Sequence, residues 1–533
     1  MLNSTRRNIN IFRNQFILDN SELPPGVFFI LPLLAAILVV IMFLWEGHIG
    51  LGLADESYLW YGAQRILHGE VPIRDFMAYD PMRYYWVAAW MAIVGNHGIV
   101  AARVAVAIFE FVGLAAGLLV VARAGRSMDV GFYIIAGIVL IAWMYPRHKL
   151  FDTSLSILLV AALCELIRRP RHLGYFLAGC VVGATATFGR NHGVYGVAGM
   201  LLGMAYIAVV KREGVAQFKN IGFWVSGIVV GYLPILLMCV FVPGFAHAFV
   251  ESVLFLFQIK GTNLALPVPW PWTVVGDGQA FWPIASEYLI GLLFISLVVI
   301  GVAGALFVMF RAIRGLPVSA PLVASVCFIL PYAQYAFSRA EINHLAQGIF
   351  PLMLALLCFM AGRGTAVRWG GALVLLVASM VVMLRVQPGW GCSRSGTCVE
   401  AEIGNDRLLL DPTTNADVKL LKSLRDKYAS DGSQFVVTPF WPGAYAIFDK
   451  KNPLWEIYAL WPSRTVAFQK AQIREIEQAN PSFVLVVDTA LDGRDELRFE
   501  NTHPVTFDYI KQTFTRINVQ GTGQDYLVFE KRR

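Results

Sequence analysis

The sequence predicts a polytopic α-helical membrane protein that carries a soluble α/β domain at its C-terminal end. Of its 533 residues, 57% are hydrophobic and 15% are charged, whereas a soluble protein has about 25% charged residues. The mean hydropathy is +0.59. The long apolar runs end near residue 386, and the composition then becomes that of a soluble protein. We therefore expect a membrane domain over 1–386 and a soluble domain over 387–533.

The membrane domain is predicted from apolar runs that are long enough to span a bilayer, about 17–25 residues in a helix. These runs predict about eleven transmembrane helices, at 27–46, 97–121, 130–146, 152–167, 173–189, 193–210, 221–243, 287–310, 316–337, 344–361 and 367–386. The aromatic run 84–95 is too short to span, and we expect it to form an interfacial helix.

Basic residues predict the orientation of these helices. The N-terminal segment contains Arg6, Arg7 and Arg13, and alternate loops carry further cations that fall on the same side: Arg123, Arg126, Arg168, Arg169, Arg171, Lys211, Arg212, Lys219, Arg311, Arg314, Arg363 and Arg368. Because cytoplasmic loops are enriched in Lys and Arg, we expect a cytoplasmic N-terminus and an extracytoplasmic segment after 386. The same rule explains the net charge of +7 without a nucleic-acid partner.

Two outer loops are predicted to be long, at 47–96 and 244–286. In the first, residues 56–67 have an amphipathic pattern typical of a helix that lies along the interface, and Gly69 and Pro72 end it. The second contains a Pro- and Trp-rich stretch, 267–272. That stretch is either an interfacial loop or a lid over a groove for lipid tails.

The soluble domain is predicted from alternating patterns after residue 387. Helical patterns cover 416–428, 470–478 and 503–513, and buried-strand patterns cover 434–437, 483–488 and 526–530. This alternation predicts a small α/β domain, with a structural role or a role in acceptor recognition. Cys392 and Cys398 frame a short polar loop, and they can form a disulfide if the segment faces an oxidising compartment.

An acidic pair, Asp55 and Glu56, follows the first apolar run directly. An ionised carboxylate so close to a membrane core is costly unless it has a partner or a task. Asp55 is our first candidate for a general base, Glu56 the second and Asp80 the third. The structural alternatives are a helix start for the acidic pair and a turn before proline for Asp80.

Basic residues in the short outer loops are the second chemical signal. Three span ends, 146–152, 188–192 and 337–344, each combine Arg with His. One guanidinium group can donate two parallel hydrogen bonds to phosphate oxygens, and the lysine ammonium group adds a point charge. The alternative, that these side chains only reach toward the interface, is weaker for three clusters than for one. The candidates for binding a phosphate are Arg147, Lys149, Arg190, Arg339 and His344; those for binding the rest of a substrate are Arg74, Arg83, His192 and Glu341.

These motifs resemble the GT-C superfamily of membrane glycosyltransferases. The resemblance is to its branch of protein O-mannosyltransferases and lipid A aminoarabinose transferases, and it covers the chain to about 386. It rests on the acidic pair after the first span, on the motif at 69–76 and on three later elements. The residues are Asp55-Glu56; Gly69, Pro72 and Arg74-Asp75; and then Pro81, Arg103 and the segment with Arg339, Glu341 and His344.

The resemblance implies an inverting enzyme that uses a polyprenyl-phosphate-linked sugar as donor on the outer face of the membrane. Asp55 would act as the general base or position the acceptor, and the basic residues would hold the departing lipid phosphate. Partners would be the donor, membrane lipid and a glycan, glycolipid, lipopolysaccharide or protein acceptor. Metal-independent catalysis without a cofactor is expected in this branch. The implied location is the bacterial inner membrane, with a periplasmic C-terminal domain.

Two other functions compete with this one. A lipid or polysaccharide transporter also has many spans and interior charges, and it would favour broken helices in matching halves and charges near the midplane. A ligase that uses a pyrophosphate-linked donor is the other alternative, although its long outer loop would be expected later in the chain.

Overall fold

The structure, a computed structural model, describes residues 23–125, 129–211, 216–259, 263–276, 280–459, 461, 464–519, 523 and 525–532. Five of the arginines that predict the orientation, Arg6, Arg7, Arg13, Arg126 and Arg212, lie outside these residues. The orientation of the chain in the membrane therefore stays a prediction.

Within the described residues the chain is mostly helical. The α-helices are α1 (Val27–Glu46), α2 (Asp55–Leu67), α3 (Pro81–Val94), α4 (Ile99–Ala124), α5 (Val130–Trp143), α6 (Leu150–Arg168), α7 (His172–Phe188), α8 (Arg190–Lys211), α9 (Ala216–Gly231), α10 (Leu233–Phe241), α11 (Phe245–Gln258), α12 (Phe281–Ile313), α13 (Ala320–Ser338), α14 (Ile342–Gly348), α15 (Phe350–Ala361), α16 (Thr365–Met383), α17 (Pro388–Ser395), α18 (Pro412–Tyr428), α19 (Gly443–Ala446), α20 (Val466–Ala479), α21 (Phe499–Thr502) and α22 (Pro504–Thr513). The strands are β1 (Val399–Ile403), β2 (Asp406–Leu410), β3 (Val436–Thr438), β4 (Phe483–Val487), β5 (Phe514–Ile517) and β6 (Tyr526–Lys531).

The predicted class, a polytopic membrane protein, is confirmed. In the described part of the chain, seven helices are long and apolar enough to cross a membrane, and the number rises to nine if two bent pairs are each one span. The bent pairs are α9 with α10, at 54°, and α14 with α15, at 53°. The other two predicted spans correspond to α5 and α7, which have 14 and 17 residues. The predicted count of eleven is reached only if these shorter helices also cross.

The chain forms two compact units, and the first contains the described residues up to Leu44, Val106–Phe241 and Leu256–Gln387.

Within the first unit, the backbones of α7 and α9 touch each other directly. A Cβ atom added at Gly179 or Gly183 would overlap the backbone of α9, and one added at Gly227 or Gly231 would overlap the backbone of α7. Glycines four residues apart on both helices therefore allow the two backbones to touch, as is common between transmembrane helices.

The second unit contains Trp45–Ala105, Val242–Phe255 and the residues from Pro388 onward. The predicted first outer loop thus packs with the soluble segment as one body. Two backbone hydrogen bonds show the contact: the Gly443 N–H donates to the Leu53 carbonyl at 2.9 Å, and the Gly50 N–H donates to the Leu409 carbonyl at 2.8 Å.

The predicted α/β domain is present in this second unit. Its sheet has the order β3-β4-β6-β5, in which β3 and β4 are parallel and β6 runs antiparallel to both of its neighbours. Apolar residues of the strands pack against α20, α21 and α22, with Val484, Ile476, Phe507 and Phe529 in the core. The antiparallel β1–β2 hairpin and the edge strand β5 were not predicted. Cys392 and Cys398 are joined by a disulfide.

Helix α2 differs from the surface helix that its amphipathic pattern predicts. Residues 57–65 are all buried, because both α3 and α19 pack on this helix. Gly62 makes the contact with α3 possible, since a Cβ at this position would overlap the ring of Tyr84. The helix that begins with the acidic pair is therefore held rigidly inside the second unit.

Candidate active site

The acidic pair opens α2, and its two carboxylates have different partners. Glu56 is held by a cation: its Oε1 accepts a hydrogen bond from Arg103 Nε, and its Oε2 accepts one from Arg103 Nη2, both at 2.9 Å. Glu56 Oε2 also accepts the Gly52 N–H at 3.1 Å. Arg103 donates further to the carbonyls of Gly47 and Gly50. Glu56 and Arg103 thus hold the backbone of the segment 47–52, which leads into α2.

Asp55 instead accepts a hydrogen bond from a tyrosine of the C-terminal segment. The hydroxyl of Tyr458 lies 2.7 Å from Asp55 Oδ1, and the Tyr458 ring is 5.4 Å from that of Tyr58. Tyr58 in turn makes edge contacts with Tyr79 and Tyr84. Burial raises the pKa of the Tyr58 hydroxyl well above its ordinary value, so that this aromatic wall is uncharged.

The other candidates of the first outer loop are positioned by local contacts. Asp80 precedes α3 as its N-cap residue and is buried. Arg83, one turn further, is also buried, and its guanidinium lies 5.6 Å from the centroid of the Tyr79 ring. Arg83 thus contacts the group of tyrosine rings to which Tyr58 belongs.

Arg74 is paired within its own loop. It donates to both carboxylate oxygens of Asp75, at 2.8 and 2.7 Å, and to the carbonyl of Pro243 at 3.0 Å. The hydrogen bonds from Arg74 hold the pKa of Asp75 below its ordinary value. The charge that was predicted to contact a substrate is therefore compensated by an adjacent carboxylate.

The first unit contains a buried polar triad. His192 Nε2 lies 2.8 Å from Asp152 Oδ1, and its Nδ1 lies 2.7 Å from the Tyr332 hydroxyl. A neutral imidazole that donates from Nε2 and accepts at Nδ1 satisfies both contacts. Each of the three residues is at most 3% exposed. His192, predicted to bind substrate, thus joins α6, α8 and α13 in the interior.

A second polar cluster of the first unit follows α13 and consists of Arg339, Glu341 and His344. Glu341 Oε1 accepts hydrogen bonds from Arg339 Nε at 3.0 Å and from His344 Nδ1 at 3.1 Å. The His344 ring stacks on Tyr335 at 5.7 Å, and the same tyrosine lies 5.8 Å from the His192 ring. A continuous series of contacts therefore links parts of all three predicted basic clusters.

The remaining predicted phosphate ligands stand at helix starts and are partly exposed. Arg147 and Lys149 form a single 3₁₀ turn directly before α6, and Arg190 is the first residue of α8. The hydrogen bond between Asp152 and His192 joins the first turns of these same two helices. Structural polar groups inside the unit thus fix the helix ends from which the cations extend.

The structure therefore groups the predicted residues by unit. Asp55, Glu56, Asp80, Arg74 and Arg83 belong to the second unit; Arg147, Lys149, Arg190, His192, Arg339, Glu341 and His344 belong to the first. Sequence reasoning missed Tyr458 and Tyr332, since neither stands in a recognisable motif. Among the described residues, no group of three or more His, Cys, Asp and Glu side chains is arranged to hold a metal ion.

Comparison with solved structures shows the fold. The chain is similar to the crystal structure of ArnT from Cupriavidus metallidurans bound to undecaprenyl phosphate, with a TM-score of 0.54, 12% identity, and coverage of 93% of this chain and 97% of that one. The apo structure of the same protein gives a TM-score of 0.50 and 14% identity, with the same coverage. No protein-family model and no curated protein sequence matches the chain.

Proposed function

We propose that this chain, which has the fold of the GT-C membrane glycosyltransferases, transfers a sugar from a polyprenyl-phosphate donor to an acceptor of the cell envelope. The acceptor is a glycan, a glycolipid or lipopolysaccharide. The reaction takes place on the outer face of the bacterial inner membrane, with the N-terminus in the cytoplasm, and it inverts the anomeric carbon. Asp55 is the general base that removes the proton of the acceptor.

The observation that carries this proposal is that Arg103 binds Glu56 while the neighbouring Asp55 is exposed. Glu56 is bound at both oxygens by a buried guanidinium, and a carboxylate so engaged is a poor proton acceptor. Asp55, the other carboxylate of the pair, is exposed and accepts a hydrogen bond from the hydroxyl of Tyr458. Because Glu56 is engaged in holding the loop, we assign the proton transfer to Asp55.

The basic side chains of the first unit are suited to bind the leaving group, which is the lipid phosphate. When the bond between sugar and phosphate breaks, negative charge grows on the lipid phosphate. Arginine and lysine side chains aimed at its oxygens stabilise the transition state more than the bound donor. Arg147, Lys149, Arg190 and Arg339 carry this role, with His344 beside them. The triad of Asp152, His192 and Tyr332 keeps two of the helix starts in place.

The fold adds support. The ArnT structure to which the chain is similar over nearly its whole length is bound to undecaprenyl phosphate. In our proposal, the same class of lipid phosphate is the product that remains after sugar transfer here.

A transfer assay tests the function. The full chain in lipid nanodiscs is mixed with a panel of radiolabelled polyprenyl-phosphate sugars and with extracted envelope glycolipids and glycans. We expect label to move from one donor to one acceptor class, and D55N to abolish the transfer. The absence of transfer from every monophosphate donor, together with transfer from a pyrophosphate-linked donor, would contradict the proposed donor class.

A second candidate, a lipid or polysaccharide transporter, is favoured by the two bent helix pairs, since transporter sites are often formed by broken helices. Proteoliposomes that carry a fluorescent polyprenyl-phosphate sugar on one leaflet separate the two functions. Protein-dependent exchange of the lipid between leaflets, without sugar transfer, would establish the transporter.

A further inference from the structure

We infer that Tyr458 is a positioning residue for Asp55, so that the C-terminal segment completes the active site rather than serving only as a structural domain. The inference rests on the proposed function of Asp55. Its direct basis is the 2.7 Å hydrogen bond from the Tyr458 hydroxyl to Asp55 Oδ1. Tyr458 is 8% exposed, whereas Asp55 is exposed, so a buried side chain holds a carboxylate that a substrate can reach.

The segment 452–458 is bound to the first outer loop at several points. The Asn452 N–H donates to the Tyr61 hydroxyl at 3.1 Å. Trp455 donates from Nε1 to the carbonyl of Ile73 at 3.1 Å, and its own carbonyl accepts the Met77 N–H at 2.9 Å. Tyr458 is therefore not an isolated contact, because the residues that precede it are hydrogen-bonded along the same loop.

The contact between Trp455 and Ile73 also involves a residue with an unfavourable backbone conformation. Ile73 has a φ of +74°, which is unfavourable for a β-branched residue, and it is buried. Such a conformation persists only where the surroundings enforce it, and here Trp455 binds the carbonyl of the same residue. The C-terminal segment thus helps to hold the outer loop in a conformation that the loop alone disfavours.

A buried polar network fixes the other side of the segment. Glu456 lies between Trp455 and Tyr458, and its carboxylate is fully buried. It accepts hydrogen bonds from Arg464, from Gln472 Nε2 at 2.9 Å and from His503 Nε2 at 2.9 Å. These partners belong to the α/β domain, so the backbone that carries Tyr458 is anchored in a packed core.

This arrangement restricts the rotation of the Asp55 carboxylate. A hydrogen bond that is donated to an ionised carboxylate stabilises that form, and a bond to a charged group is stronger than one between neutral groups. Removal of the Tyr458 hydroxyl should therefore have two effects: the base is held less tightly in its reactive orientation, and the acidic limb of the pH–rate profile moves to higher pH. A purely structural tyrosine would produce neither effect in a folded variant.

The test uses Tyr458→Phe, with Tyr526→Phe as the matched control. Tyr526 also donates to an aspartate, Asp417 Oδ1 at 3.0 Å, but this pair takes no part in the proposed reaction. We expect Y458F to lower kcat about 10- to 100-fold and to move the acidic limb to higher pH, with the KM for the donor nearly unchanged. Y526F should keep the wild-type rate and profile. A wild-type rate and profile in Y458F would overturn the inference.

A double-mutant cycle keeps the inference testable if the protein transfers no sugar. Thermal unfolding is measured for the wild type, Y458F, D55N and the double variant. We expect the two single effects to be non-additive, since the side chains are in contact. Additive effects would overturn the inference whatever the transfer assay shows. A wild-type protein without transfer activity, combined with non-additive unfolding, would instead overturn the proposed function while the contact between Tyr458 and Asp55 stands.

Discussion

Arg103 binds both carboxylate oxygens of Glu56, and the side chains are only 3% and 11% exposed. Breaking such a pair leaves an uncompensated buried charge, which costs about 3–5 kcal/mol. We therefore predict that Arg103→Ala lowers the free energy of unfolding by about 3 kcal/mol, measured by thermal unfolding in detergent. Arg407→Ala, which removes the exposed pair with Glu400, should change stability by less than about 1 kcal/mol. Equal stability of R103A and wild type would show that the pair is not structural.

Asp55→Asn tests the base directly. The amide keeps the size of the side chain but cannot accept the proton, so we expect kcat to fall by at least about 100-fold, the lower end of what a general base contributes. Donor binding should be retained, and the variant should stay folded. The control is Asp417→Asn, which alters a carboxylate that accepts a tyrosine hydroxyl elsewhere in the same unit. Full activity of D55N would remove Asp55 from the base role.

Arg190→Ala tests the phosphate role of the helix starts. If Arg190 binds the lipid phosphate, its loss should raise the KM for the donor about tenfold or more, because a bond to a charged group contributes about 1.5–3 kcal/mol. Arg314→Ala is the control, since Arg314 is exposed at the end of α12 and contacts Phe310. Steady-state kinetics with varied donor separates the two. Unchanged kinetics in R190A would indicate that this arginine serves only at the interface.

Replacing a glycine at the contact between α7 and α9 should lower the free energy of unfolding. Gly227→Ala places a methyl group against the backbone of α7, and we expect a loss of about 1–3 kcal/mol from overpacking. Gly222, on the same helix, has no atom within 4 Å of an added Cβ. Gly222→Ala should therefore be neutral or slightly stabilising, as alanine favours a helix more than glycine does. Thermal unfolding of both variants measures the difference, and equal effects would contradict direct backbone contact.

Asp75 predicts a dependence of stability on pH. Because its pKa is lowered in the folded protein by Arg74, the pair stabilises the fold above the ordinary aspartate pKa, about 3.9. This stabilisation is lost as the pH falls through the lower pKa of the folded state. The unfolding temperature of the wild type should thus fall more steeply than that of Asp75→Asn below about pH 4. Parallel curves for the two proteins would contradict the coupling.

The sequence predicts the helices and strands of this fold better than the contacts between distant side chains. All eleven apolar segments are helical, and the alternating patterns after 387 form the α/β domain, because helix and strand periods are local properties of the chain. The pairing of Glu56 with Arg103 and of Asp55 with Tyr458 joins residues 47 and 403 positions apart. No local pattern encodes such contacts, so the acidic pair could be identified while its division of roles could not. The burial of α2 has the same origin, since α19 covers it from the far end of the chain.

The separation of 403 positions between Asp55 and Tyr458 has a consequence for biosynthesis. The N-terminal part of a protein emerges from the ribosome first, so a nascent chain carries the acidic pair long before it carries the tyrosine. The Asp55 carboxylate can accept the hydrogen bond from Tyr458 only after 403 further residues have been made and the segment around Tyr458 has folded against the loop. If Asp55 acts as proposed, a chain that ends before residue 458 would lack the positioned base.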